Sequence, residues 1–187
     1  MRSDVQISDQ LAAAAQYGRS PQDHVGLSGW LEVVLVDEEG RTKLCYVVPN
    51  LITEVGDQYY GERAAGIASP PNQVTGMRYG TGTTAVAKTG AGAAIVTYVS
   101  GSSLAMDAGF PASALSGSSR RIQWKRTWAA GVATANAISE VVITNETALT
   151  DVAGTAANTI SRGLLSPTIN KTAGDSLAIT WNHDLLG

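Results

Sequence analysis

Eight short runs of alternating or apolar residues, each closed by a turn signal, confine this chain to a mainly β fold. Trp30–Asp37 (WLEVVLVD) alternates and then runs apolar, Glu38-Glu39-Gly40 supplies a turn, and Arg41–Val48 (RTKLCYVV) returns, which is the pattern of a β-hairpin with a glycine-containing loop. Further strands are expected at Gln73–Tyr79, Ala94–Val99, Arg120–Thr127, Ala137–Thr144, Thr159–Leu165 and Ser176–Asn182. Gly80–Gly92 and Gly101–Ser119 are too rich in Gly, Ser and Pro for regular structure and read as long loops. In Arg120–Thr127, Ile122, Trp124 and Arg126 share a face, so Arg126 marks an expected exit of that strand from the core. Strands spaced this way, with turn signals between them and no repeat of fixed period, predict an antiparallel sandwich or a partly closed barrel.

One helix is expected among the strands. Pro49 disfavours helix before Asn50, and Asn50 can cap the orphan N–H groups of a first turn. Leu51, Ile52, Val55 and Tyr59 follow at helical spacing, with Gly61 and Gly66 as stops, so the stretch Asn50–Gly82 reads as a short helix laid on the sheet with the Gln73–Tyr79 strand returning beside it.

Residues 1–28 differ from the single β-rich domain expected over 29–187. They are polar and alanine-rich, with a short helix possible over Asp9–Tyr17 between a Ser8 cap and Gly18. Ordering a residue costs about 1–2 kcal/mol of backbone entropy. The scattered apolar residues Val5, Ile7, Leu11, Tyr17, Val25 and Leu27 cannot offset that for the whole segment. The expectation is a flexible N-terminal arm, extended or briefly helical, that orders against a neighbouring surface through those six residues.

Charge and composition narrow the function. A net charge of −3 gives no basic field for phosphates, so nucleic acid is not an expected partner. The single cysteine, Cys45, has no internal disulfide partner, lies in an apolar strand pattern and reads as a small buried hydrophobe in a reducing compartment. No apolar run reaches membrane-spanning length and no secretory leader pattern is present, so no membrane association is expected. Trp30, Trp124, Trp128 and Trp181 fall in four different segments. At roughly 200 Å² each and ~25 cal/mol/Å², they are expected to tie separate strands to one core.

Motifs with chemical potential fail on context. Gly80-Thr-Gly82-Thr-Thr-Ala85 fits a dinucleotide fingerprint, and Gly82–Thr89 nearly fits a phosphate loop, but Gly90 and Gly92 break the helix either would need. Gly174-Asp175-Ser176-Leu177 spells an esterase signature. A hydrolase would require His183 to reach Ser176, and seven residues along one extended strand hold them about 20 Å apart. His24 and His183 with one cysteine cannot supply a zinc cluster, and the carboxylates have no calcium-loop spacing. Asn145-Glu-Thr147 and Asn170-Lys-Thr172 fit the glycosylation pattern by chance. No cofactor, metal or catalytic group is expected.

Landmarks in order along residues 29 to 184 carry a resemblance: the first hairpin, Asn50-Leu-Ile-Thr53, Gly56, Gly80-Thr-Gly82 with a Thr-rich loop, Ile138-Ser-Glu140-Val-Val, Ile160-Ser-Arg162, Pro167, Lys171 and Ser176-Leu-Ala-Ile-Thr-Trp181. Together they resemble a group of virion structural proteins of tailed bacteriophages, described as head decoration, cement or fibre-like. That resemblance implies a structural protein made in the host bacterial cytoplasm and carried on the capsid surface of the virion. It further implies binding to the major capsid protein or another virion protein, as a homo-dimer or homo-trimer. A tail, baseplate or fibre component is the alternative expectation, ahead of a carbohydrate-binding module and of a hydrolase built on Ser176 and His183.

Overall fold

The computed structural model describes residues 26–186, a single curled antiparallel sheet of eight strands with one α-helix. The strands are β1 (Gly26–Val36), β2 (Thr42–Ile52), β3 (Gly76–Gly80), β4 (Ala112–Ser116), β5 (Ser119–Trp128), β6 (Ala135–Thr144), β7 (Thr159–Lys171) and β8 (Ser176–Leu186). The helix α1 spans Glu54–Ala65. Sheet order is β3-β6-β7-β2-β1-β8-β5-β4, so the mainly β, partly closed barrel expectation takes the form of a half-barrel.

The inside of the curl is the core. Leu31, Val33 and Leu35 of β1, Leu177, Ile179 and Trp181 of β8, and Trp124 and Trp128 of β5 meet Met77 and Tyr79 of β3 and Val141 and Ile143 of β6 there. Inward residues alternate with half-exposed outward ones along β1, as a sheet with one wet face requires. Three of the tryptophans are buried as expected. Trp30 instead lies on the outer face, half-buried, with the Arg121 guanidinium 4.5 Å above its ring. Cys45 faces outward opposite Val34 and is half-buried.

Where sequence expectation and fold differ, tertiary pairing explains the difference. Leu51 and Ile52 do not open the helix; they extend β2 because β7 offers them Arg162 and Ser161 as ladder partners. The helix therefore starts after Thr53, whose hydroxyl accepts the Gly56 N–H at 3.1 Å. It ends at Gly66, in the left-handed conformation. Ala94–Val99 forms only an isolated bridge to β3, at Tyr98, because the Val96 and Thr97 amides are taken by a side chain described below. The fourth strand is instead Ala112–Ser116, inside the stretch expected as loop, and it forms a hairpin with β5 across Gly117-Ser118. Arg126 does not mark a strand exit, since β5 continues to the buried Trp128; its guanidinium reaches Asp107 Oδ1 at 3.4 Å and the Ala105 carbonyl at 3.1 Å. The body begins before residue 29, since β8 runs far enough to pair Gly26, Leu27 and Ser28 with Leu186, Leu185 and Asp184.

The two edges of the sheet are treated differently. Along β3, the Met77 and Leu104 main chains exchange hydrogen bonds of 3.0 Å, and the Val99 N–H donates to the Tyr79 carbonyl at 3.3 Å. Among the described residues no strand pairs with the outer edge of β4.

Candidate functional site

The most distinctive chemistry lies on the outer face of β3, β6 and β7, where charged side chains are buried beneath long loops. Every residue of β6 from Ile138 to Thr144 is buried, as is every residue of β7 from Thr159 to Gly163, so this half of the sheet is covered on both faces. Glu140 and Arg162 sit on the outer side, both fully buried, with Arg162 Nη2 donating to Glu140 Oε2 at 2.7 Å. The remaining capacity of that carboxylate goes to main chain: Glu140 Oε1 accepts from Gly82, Val96 and Thr97 N–H at 2.9, 3.0 and 2.8 Å. Arg162 Nη1 donates to the Thr84 and Gly92 carbonyls at 2.8 and 3.3 Å. One buried ion pair thus fixes the whole 81–97 strap by both its donors and its acceptors, the compensation a buried pair needs.

The glycines of the Gly80-Thr-Gly82 motif have a steric rather than a phosphate-binding reason. A Cβ at Gly80 would come 2.6 Å from Glu140 Oε1, and one at Gly82 would come 2.5 Å from the same atom. No helix of pyrophosphate-binding length follows, only a single 3₁₀ turn at Gly90–Ala93.

A second fastening lies alongside. Arg78, fully buried on β3, donates to the Val152 carbonyl at 2.6 Å and to Thr144 Oγ1 at 3.2 Å, and its Nη2 lies 2.8 Å from Glu146 Oε1 but off the hydrogen-bond direction. Asp151 in that loop accepts from Ser100 Oγ at 2.9 Å, from Gly101 N–H at 2.7 Å and from the Tyr98 hydroxyl, linking the two loops to each other. The Tyr98 bond, followed by those from Gly101 and Ser100, holds the Asp151 carboxyl below the usual range. Beside α1, Gln58, Glu62, Ser69, Asn72, Asn145 and Asn158 line an open polar groove of about 290 Å³.

The candidates named from sequence fall as follows. Val5, Ile7, Leu11, Tyr17 and Val25 lie outside the described residues. Leu27 lies in β1, paired with Leu185 in the sheet. Ser176 and His183 share β8, at opposite-parity positions, and do not meet. His183 is fully buried on the core side, where the Tyr60 hydroxyl donates to its Nδ1 at 2.6 Å. With the Asn50 amide oxygen turned toward it, His183 Nε2–H donates to that oxygen at 2.9 Å, while Asn50 Nδ2 donates to the Gly29 carbonyl at 2.8 Å. Trp181 Nε1 lies 2.9 Å from His183 Nε2. Burial alone pushes the imidazole down to about 3, so it is a neutral core group at ordinary pH. Asp175 of the esterase-like tetrapeptide is a turn residue. Lys43 Nζ donates to both its oxygens at 2.9 Å, and Thr172 N–H and Oγ1 donate at 2.8 and 2.7 Å. The Lys43 bond is the largest influence on that carboxyl, which lies at about 2. Among the described residues no three His, Cys, Asp or Glu side chains converge as a metal site, and no helix is long and apolar enough to cross a membrane.

The chain matches no family model, no curated protein and no solved structure.

Glu140 and Arg162, landmarks of the resemblance, and Arg78, which is not one of them, carry a further sequence signal. Each is a charge within a short run of strand-forming residues: Glu140 in AISEVVIT, Arg162 in TISRGLL and Arg78 in GMRY. A charge with no wet face to occupy must be paired or solvated by main chain. What the sequence lacked was the partner, since Gly82 and Glu140 are brought together only by the sheet.

Proposed function

We propose that this protein is a structural virion protein of a tailed bacteriophage, a decoration or cement protein that binds the assembled capsid surface and stabilises it. The supporting observation is where the landmarks of the resemblance fall in the fold. Gly80 and Gly82 make room for Glu140, which pairs with Arg162. The Asn50 amide holds His183, against which the Trp181 ring packs edge-on. The Pro167 carbonyl accepts from the Tyr46 hydroxyl at 2.7 Å, and Lys171 Nζ donates to the Ala129 carbonyl at 2.9 Å. These residues do not present a reactive group; they hold loops in one shape over a rigid half-barrel. A surface fixed before binding loses less conformational entropy when it docks, which suits a protein that binds by shape and hydrogen bonding.

In this reading the body binds the major capsid protein or another virion protein, and residues 1–25 add a second, tethered contact. Two linked contacts raise avidity although neither is tight. A protein that binds the assembled shell and not its free subunits stabilises the shell by mass action. The protein is made in the host bacterial cytoplasm and resides on the virion.

The test is occupancy of purified particles. Copy number comparable to that of the shell subunit is expected, and a handful of copies would instead assign the protein to the tail, baseplate or fibre. Removal of residues 1–25, which leaves β1 whole, is expected to abolish attachment while the melting temperature of the free protein stays unchanged. Full occupancy after that removal would take the arm out of the mechanism.

A further inference from the structure

The outer edge of β4 has no ladder partner in the described fold, as the β7 side of β2 has none from Thr42 to Pro49, and the β4 run itself, after Pro111, lacks the usual protections. Edge strands are ordinarily blunted by charge, proline, a bulge or a covering segment. β3, at the other edge, is covered by the segment through Leu104. β4 reads Ala-Ser-Ala-Leu-Ser, with no ionisable group and no bulge in its ladder, and Leu115 on it is 73% exposed.

The hairpin fixes which main-chain groups point outward. Ser116 and Ser119 flank the two-residue turn Gly117-Ser118, in which Gly117 takes a φ of 62°, the primed turn that closes on a hydrogen-bonded pair. Hydrogen-bonded and non-hydrogen-bonded pairs alternate from there. Ala114 and Ala112 are therefore turned toward Arg121 and Gln123 of β5, while the N–H and C=O groups of Ser113 and Leu115 face away from the sheet.

We propose that β4 is a self-association edge that pairs antiparallel with β4 of a second copy, across a two-fold axis at Ala114, to make one sheet continuous through both molecules. This register sets Ser113 opposite Leu115 of the other copy, and Leu115 opposite its Ser113, so each outward N–H and C=O finds a partner. A two-fold axis one residue away, at Leu115, would pair Ser113 with the turn glycine and lose half of those bonds. No charge opposes a like charge along the seam, because the strand has none. The two Leu115 side chains come to lie diagonally on one face, within reach of each other. A five-residue seam falls well short of the ~1,200 Å² of a stable standard interface. The pair is therefore reversible, filling at high local concentration. The pairing does not depend on the virion reading, and it is read in free solution.

The experiment is single-cysteine cross-linking of the full chain in a Cys45→Ser background. At the two-fold axis the two Ala114 residues form a non-hydrogen-bonded pair with Cα atoms about 4.5 Å apart, inside the disulfide range. Ala114→Cys is expected to oxidise to a covalent dimer of twice the chain mass. Ala112→Cys, set opposite Ser116 and far from its own equivalent, is expected to stay monomeric. Adding Leu115→Glu to Ala114→Cys places two anions in the seam while each faces its own Arg120 across the hairpin, and is expected to slow dimer formation at least tenfold with an unchanged circular dichroism spectrum. The proposal is overturned if Ala114→Cys cross-links no faster than Ala112→Cys. It is equally overturned if the Ser113 and Leu115 amides are protected from exchange in dilute monomer and lose that protection when residues 1–25 are removed, which would assign the edge to the chain's own arm.

Discussion

Glu140 shows how a single side chain can determine the shape of a long loop. Its carboxylate is fully buried, with a guanidinium and three main-chain N–H groups around it. Breaking a buried pair on one side leaves an uncompensated charge, at a cost of about 3–5 kcal/mol. Glu140→Gln is expected to destabilise by about that amount in chemical denaturation. Pairing it with Arg162→Met should cost less than the two single changes added together, because the residues share one network. His183 gives the second residue-scale expectation. Its folded value of about 3 lies below the ordinary 6.5, so the unfolded chain binds the proton that the native state refuses. Stability from this group is complete above pH 6.5 and falls as pH drops toward 3. Thermal melts are expected to decline between pH 6.5 and 4.5, above the range where carboxylates titrate, and His183→Gln should flatten that part of the profile. An unchanged slope in the variant would reject the assignment.

At the scale of elements, α1 depends on one residue that joins helix to sheet. Thr53 is buried, accepts the Gly56 N–H, and its hydroxyl hydrogen is directed at the Thr159 and Ile160 carbonyls of β7. Thr53→Ala removes the cap and leaves those carbonyls with one donor fewer, so a loss of about 1–2 kcal/mol is expected. Thr53→Ser, which keeps the hydroxyl, should recover most of it in the same melt. The helix also indicates what the sequence could and could not convey. Its existence, its Gly66 stop and its seating on the sheet were legible from spacing and composition. Its start was not, because Leu51 and Ile52 suit a helix by periodicity and a strand by pairing, and β7 decides between them. Ala94–Val99 was misread for the converse reason. Its pattern is strand-like, but Val96 and Thr97 donate to Glu140 rather than to a neighbouring strand. β4 was hidden because Ala, Ser and Gly score as loop wherever a partner strand is not yet known.

For the whole molecule, the half-barrel has a thick half and a thin half. β3, β6 and β7 are covered inside by the core and outside by the 81–106 and 145–158 segments, whereas the outer faces of β1, β5 and the Ser176–Thr180 half of β8 are mostly half-exposed and β4 has only β5 beside it. Local opening follows burial, so stability should be graded across the sheet in its spatial order and not in chain order. Native-state hydrogen exchange is expected to find the slowest amides at Val141–Ile143 and Ile160–Gly163, exchanging only through global unfolding. Those of β4 should exchange through low-energy opening of the hairpin in dilute solution. Raising the protein concentration supplies the second copy that the open edge lacks. Ser113 and Leu115, whose N–H groups point outward, should then gain protection while Ala112 and Ala114, already bonded to β5, change little. That two-residue alternation is the signature of strand addition along an edge. A uniform gain across β4, β5 and the neighbouring turn would report general tightening of the hairpin instead, and would separate the graded stability of the fold from the association of its edge.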